Sequence, residues 1–155
     1  MTTNWTLRRT SNPSGLPVTL TEIKSHLRLN ENDESHDANL TLLIQGASER
    51  LEHDIDRQLF TSTYEQTQFS FGGTVAELRL RTKAVTQVVS VKYIDTDGTE
   101  QTMLDTDYTF DAGRGSLFPT AGTQWPEVQQ DNPNAITVEL VAGYGSDSSC
   151  MPRLL

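Results

Sequence analysis

Apolar positions fall on two different periods along this chain. Within residues 34–58, Leu40, Leu43, Ile44, Ala47, Leu51 and Ile55 recur at steps of three and four. Thr41, Gln45, Ser48, Glu49, Glu52, His53 and Asp56 fill the other side. That spacing predicts one long amphipathic helix. Arg50 and Asp54 stand at i,i+4 and can pair across a turn, worth a few tenths of a kcal/mol. Gly46 sits inside the pattern at a cost of about 1 kcal/mol against alanine; it fits a close helix crossing and simple sequence drift equally. A shorter helix of about two turns precedes it. Thr19 is a good N-cap, Glu22 three residues on completes a capping box, and Val18 and Ile23 occupy the staple positions. Between the two helices, Glu31, Asp33, Glu34 and Asp37 crowd an acidic loop. The spacing lacks the turn glycine and closing glutamate of an EF-hand loop. The acids instead complement the dipole at the start of the long helix.

From Thr61 the period shortens to two. "STYEQTQFSF" is rich in threonine and aromatics, and "AELRLRT" places Leu78 and Leu80 on one face with Glu77, Arg79 and Arg81 on the other. "VTQVVSVKYID" is a longer strand, Asp97-Gly98 is a hairpin turn, and "TEQTML" is the returning strand. "YTFDAGRGSLF" reads as a second hairpin with Gly113 and Gly115 at its tip, and "WPEVQQDNPN" as a loop. In "AITVELVAGY", Ile136, Val138, Leu140, Ala142 and Tyr144 alternate with Thr137 and Glu139. Past Gly143 and Gly145, a polar loop reaches Pro152 and two leucines. Proline suits the first position of a helix, so a C-terminal helical segment is begun and the sequence stops at Leu155.

The order of elements predicts an α+β fold: N-terminal helices, one short and one long, then an antiparallel sheet rich in β-hairpins. An open sheet and a small barrel both remain compatible with it. Four parts follow within a single domain: an arm over residues 1–17, a helical part over 18–60, an antiparallel β part over 61–145 and a tail over 146–155. In the arm, Trp5 and Leu7 are the large apolar groups. They suit anchorage on a neighbouring surface and cover of the protein's own core equally.

Composition narrows the function. A formal net charge of -9 argues against gripping bare nucleic acid, which needs a basic face. No apolar run approaches the ~20 residues of a membrane span, and the start lacks a signal peptide's apolar core. Cys150 is the single cysteine, so no disulfide forms within the chain; a reducing compartment such as a bacterial cytoplasm fits.

Chemistry finds no foothold. The two carboxylates of "DTDGT" are what a hairpin tip uses, and no third cation ligand follows at useful spacing. "GRG" is too short and wrongly placed for a phosphate loop. His26, His36 and His53 are scattered, and no nucleophile stands beside a base. No catalytic residue, metal site or cofactor is expected, which leaves binding and assembly.

"VTLTEIKSHLRL", the acidic loop and "NLTLLIQGASERLEHDIDRQL" together resemble the opening of the tailed-phage head–tail connector, or adaptor, proteins. "VVSVKYIDTDGTEQTML", "DYTFDAGRGSLFP", Trp125-Pro126 and "AITVELVAGYG" continue that resemblance, which covers about residues 17–145. It implies a structural virion protein and not an enzyme. Subunits line up as a ring, usually of twelve, beneath the portal protein, and bridge it to a neck, stopper or tail-terminator protein. Genomic DNA passes through the lumen without being read, and no membrane is involved. The implied location is the virion's head–tail interface, with the host cytoplasm during assembly. Such proteins continue past the "GYG" loop into helices that pack on the first two, so neighbouring subunits or another virion protein are expected to supply part of that cover here.

A ring needs a heterologous contact, one flank fitting the other flank of the next copy. The long helix is the candidate for one flank. The expected subunit-interface residues are Leu40, Ile44, Arg50, Leu51, Arg57, Arg79 and Arg81, the arginines, with Lys83, meeting acids of the neighbour. The expected contacts to other partners are Trp5, Arg8 and Arg9 in the arm, Asp97, Gly98 and Arg114 at the hairpin tips, and Met151, Arg153, Leu154 and Leu155 at the end. The alternative is a β-rich module that binds a ligand or a host surface, with Tyr64, Phe69, Phe71, Tyr93 and Tyr108 as an exposed aromatic set.

Overall fold

A computed structural model describes residues 5–11, 15–55, 57–72 and 77–145. The elements run β1 (Trp5–Arg9), α1 (Leu20–His26), α2 (Asp37–Ile55), β2 (Ser62–Gln68), β3 (Leu78–Arg79), β4 (Val85–Ile94), β5 (Glu100–Thr102), β6 (Tyr108–Asp111), β7 (Ser116–Pro119) and β8 (Ile136–Ala142). The fold is α+β, and every strand pairing is antiparallel. The described residues divide into two compact units: a β unit of 5–11 with 62–142, and a helical unit of 15–61 with 143–145.

The β unit holds two open sheets. One has strand order β1-β2-β8-β4-β5 and the other β3-β7-β6. β8 is central in the larger sheet, and its alternation explains why. Ile136, Val138, Leu140 and Ala142 are fully buried, each of the larger three contributing roughly 1.5–3 kcal/mol by leaving water. Leu78, Leu117, Val91, Tyr64 and Phe71 join them in one core. Two bulges in β4 shift its register against β8 between Val85 and Gln87 and between Val88 and Ser90.

One buried polar group ties the two sheets together. Gln66 on β2 is wholly inside. Its amide donates to the Arg79 carbonyl at 3.0 Å and its oxygen accepts from the Arg81 N–H at 2.8 Å. The side chain thus replaces a neighbouring strand's backbone, which satisfies β3 where no ladder reaches it.

Part of the segment read as an arm is a strand. Trp5–Arg9 pairs with β2 in an unbroken register, Trp5 opposite Gln68 and Arg9 opposite Tyr64. Alternating exposure places Trp5, Leu7 and Arg9 on the sheltered face, and Leu7 packs against the core of this same unit.

In the helical unit, α1 starts as its sequence predicts. The Thr19 hydroxyl accepts from the Glu22 N–H at 3.1 Å, and the Glu22 carboxylate accepts from the Thr19 N–H at 2.7 Å. Lys24 then turns inward. Its ammonium lies 2.6 Å from the Asp37 carboxylate and donates to the Glu31 carbonyl at 3.2 Å. This clasp fixes the acidic loop against the start of α2. At the other end of α2, Glu52 is buried and accepts from the Leu59 N–H at 2.9 Å. The following segment is held by backbone bonds from Thr61 to Gly145 and from Tyr144 to Leu59.

Candidate assembly surface

The stripe on α2 is only half used. Leu40 and Ile44 are buried, whereas Leu43 is 69%, Leu51 48% and Ile55 41% exposed. Leu27 on the neighbouring α1 cap is 49% exposed, and Leu42, which lies off the stripe, 66%. Together with Pro17, Val18, Ile23 and Leu59, the stripe lines a groove of about 420 Å³ within the helical unit. Nearly all of its surface is carbon. This contiguous apolar surface makes the groove the candidate interaction site of the helical unit. Among the described residues, the short α1 and the long α2 do not by themselves enclose the stripe.

The expected interface residues are distributed over both units. Leu40 and Ile44 form the floor of the groove, and Leu51 stands at its rim. Arg50 is exposed and bonded to Asp54 at 3.0 Å. Arg57 donates to the Tyr144 hydroxyl at 2.6 Å. Arg79 and Arg81 belong to the β unit, where both are exposed and Arg81 lies over the Trp5 ring at 5.3 Å.

The expected partner contacts behave differently from one another. Arg8 is paired with Glu65 at 2.9 Å, and Arg9 donates to the Tyr64 hydroxyl at 3.1 Å while lying over its ring. Asp97 and Gly98 form the β4–β5 turn, in which Gly98 takes φ +83°. Arg114 sits at the β6–β7 tip, 3.6 Å from Asp111. Met151, Arg153, Leu154 and Leu155, with Cys150 and the helix start at Pro152, lie outside the described residues.

Of the two carboxylates of "DTDGT", that of Asp95 serves the turn. Asp95 accepts from the N–H groups of Asp97 and Thr99 and from the Gln101 amide. The Gln101 bond, followed by the Thr99 N–H, holds its carboxyl below the usual range. Among the described residues no three His, Cys, Asp or Glu side chains gather as a metal site, and no described helix is long and apolar enough to cross a membrane. The aromatic set proposed for ligand binding belongs mostly to the core of the β unit, where Phe71 meets Tyr93 edge-on at 6.2 Å. Tyr64, Phe71 and Tyr108 are buried, and Phe71 stacks on Trp125 at 4.6 Å. Burial, with Asp105 accepting from the Tyr108 hydroxyl, raises that phenol to about 12.

Three polar residues escape any sequence reading: Lys24, Glu52 and Gln66. The signal that marks them is burial, which periodicity does not carry for residues of this type.

The family of phage gp6-like head–tail connector proteins matches residues 17–111 by sequence. No curated protein matches the chain. Among solved structures, a chain in the neck of an empty gene transfer agent particle, computed with C6 symmetry, superposes with TM-score 0.76 at 18% identity, over 95% of this chain and 75% of that one. A chain in the neck of the native particle, computed with C12 symmetry, gives TM-score 0.72 at 18% identity, over 95% and 74%. A chain in the virion of the native particle gives 0.71 at 16% identity, over 94% and 75%.

Proposed function

This chain belongs to the phage gp6-like head–tail connector family, and from that premise we propose that its copies join side by side into a closed ring, of twelve subunits, between a portal protein and a neck, stopper or tail-terminator protein. The role is structural rather than catalytic. The ring lies at the head–tail interface of the virion after assembly in the host cytoplasm. Genomic DNA passes through its lumen without sequence recognition, since an acidic wall offers few cations to phosphate.

The observation that carries this reading is the half-open stripe on α2. Leu43, Leu51 and Ile55 stand largely exposed beside the buried Leu40 and Ile44, a surface that a neighbouring copy can cover. A ring supplies such a neighbour at every position, with Leu40 and Ile44 shaping the groove and Leu51, Arg50 and Arg57 on the flank that meets the next copy. Arg79 and Arg81 serve the opposite flank. The similar folds in neck assemblies of sixfold and twelvefold symmetry support it. Trp5, Arg8 and Arg9, the turn at Asp97 and Gly98, Arg114, and the residues Met151, Arg153, Leu154 and Leu155 are assigned to the contacts above and below the ring.

Sedimentation velocity and negative-stain imaging of the purified protein, alone and mixed with portal protein, test it. Rings with a central hole are expected. A folded monomer at every concentration, with and without portal, overturns it.

A further inference from the structure

The β unit carries a second unfilled surface. A concavity of about 200 Å³ is lined by Trp5, Gln68 and the segment Phe69 to Gly72, with Glu77 and the exposed Arg79 and Arg81. Neither guanidinium makes an ion pair among the described residues. Arg81 is held by the Trp5 ring at 5.3 Å. The one acid on the rim is engaged, Glu77 accepting from the Ser116 hydroxyl at 2.6 Å. Two arginines without an ion pair among the described residues, beside aromatic rings on a protein of net charge -9, select an anionic group that arrives with an apolar one.

We propose that this arginine-rimmed concavity receives the acidic loop between α1 and α2 of a second copy of this chain. The proposal rests on the ring reading and names the matching surfaces. The loop has the required chemistry. Glu31 and Glu34 are exposed, and Leu29, two residues before Glu31, is 38% exposed. It is also held in shape. Lys24 grips it at both ends through Asp37 and the Glu31 carbonyl. Inside it, the N–H of Asn32 donates to the Asn30 side chain and that of Ser35 to Asp33. A loop already ordered loses little freedom on docking. The carboxylates of Glu31 and Glu34 meet Arg79 and Arg81, and Leu29 lies beside the aromatic rings. Receptor and loop occur on one chain at different surfaces, so the contact is heterologous and propagates from copy to copy until it closes. Duplex DNA is the less favoured occupant. Two cations on a polyanionic protein give too small a counterion release to overcome the global repulsion.

Reciprocal charge reversal tests the pairing. Three variants are compared with wild type by sedimentation velocity: Arg79→Glu with Arg81→Glu, Glu31→Arg with Glu34→Arg, and all four changes in one chain. All four sites are exposed, and circular dichroism with a melting curve verifies that each variant folds. Each double reversal is expected to raise the concentration needed for ring formation by about tenfold or more. The fourfold reversal is expected to return it to within about threefold of wild type, because the pairs are restored with exchanged signs. If the arginine reversal disrupts assembly and the loop reversal does not, or if the fourfold chain is worse than either double, the loop is not the occupant. Rings formed equally by all chains overturn the pairing while leaving the ring reading intact. A wild type that never assembles, with or without portal, removes the ring reading and the pairing with it. Duplex retention by wild type at low salt, lost in the arginine reversal with assembly unchanged, reassigns the concavity to phosphate.

Discussion

Leu43 and Ile44 are adjacent, and the groove predicts opposite consequences for changing them. Ile44 is 6% exposed, so Ile44→Ala removes buried methyl groups and is expected to cost about 2–5 kcal/mol. For a chain of this size that lowers Tm by about 2–4 °C per kcal/mol. Leu43 is 69% exposed. Leu43→Gln therefore leaves the fold nearly unchanged, within about 0.5 kcal/mol. Burying a whole leucine is worth roughly 1.5–3 kcal/mol, and about two thirds of that is still unspent in the isolated chain. Covering Leu43 with a neighbour then contributes about 1–2 kcal/mol per contact, so Leu43→Gln weakens each contact roughly 5- to 30-fold. Thermal unfolding is measured below the assembly concentration, since association otherwise raises the apparent stability of both variants. Sedimentation velocity reads assembly. If Leu43→Gln lowers the dilute-protein Tm as far as Ile44→Ala does, the chain itself covers the stripe and the reasoning fails. It fails equally if Leu43→Gln folds and assembles like wild type.

Three further outcomes are expected. Gly143 takes φ +128°, and an added Cβ would run into the carbonyl carbon and oxygen of Phe60. Gly143→Ala should therefore cost about 2 kcal/mol or more in urea unfolding, because the obstacle is backbone and has no rotamer to yield. Lys24→Ala should cost about 2–4 kcal/mol, since it strips the buried partner from Asp37 and frees the acidic loop; a loss under about 0.5 kcal/mol would show that the clasp is ornamental. Tyr108 should ionise near 12 rather than 10, visible as a late phenolate step in an ultraviolet titration. The folded state holds this proton more tightly than the unfolded one. The associated stability is whole below pH 10 and lost as pH rises towards 12, and Tyr108→Phe should make that alkaline decline shallower.

Elements built from neighbours in sequence were legible. The Thr19–Glu22 box, the Asp97-Gly98 turn and the alternation of β8 each state their structure within a few residues. α2 was equally plain as a helix, but periodicity names a face and not what covers it. Leu40 and Leu43 carry the same signal, yet one is buried and the other stands in water. β1 was hidden because five residues among breakers give too few alternations to outweigh Pro13, Gly15 and Pro17. Lys24, Glu52 and Gln66 were illegible for a different reason. Each is buried by partners that lie 7 to 15 residues away or more, and a polar residue gives no sequence sign that its partner exists. The arginine-rimmed concavity was half legible: Arg79 and Arg81 stood out as cations, whereas Trp5 beneath Arg81 depends on β1 being a strand.

Charge and apolar surface divide the work of assembly. Twelve copies at -9 gather roughly a hundred negative charges, a field that opposes closure. The proposed local pairs of arginine and glutamate would select which flank meets which, but exposed pairs are worth only about 0–1 kcal/mol each, too little to outweigh that field alone. The favourable term must then be the apolar stripe, whose burial is insensitive to the sign of the net charge. Beyond a Debye length of about 8 Å at physiological salt the repulsion is screened, while contacts within the groove are not weakened. In the proposed ring, an acidic, leucine-striped subunit would thus feel its copies' repulsion only within about a Debye length, where apolar contact offsets it. In the proposed ring, only approaches that bring α2 against a covering partner gain enough to persist, which is how a strongly acidic subunit would close on copies of itself.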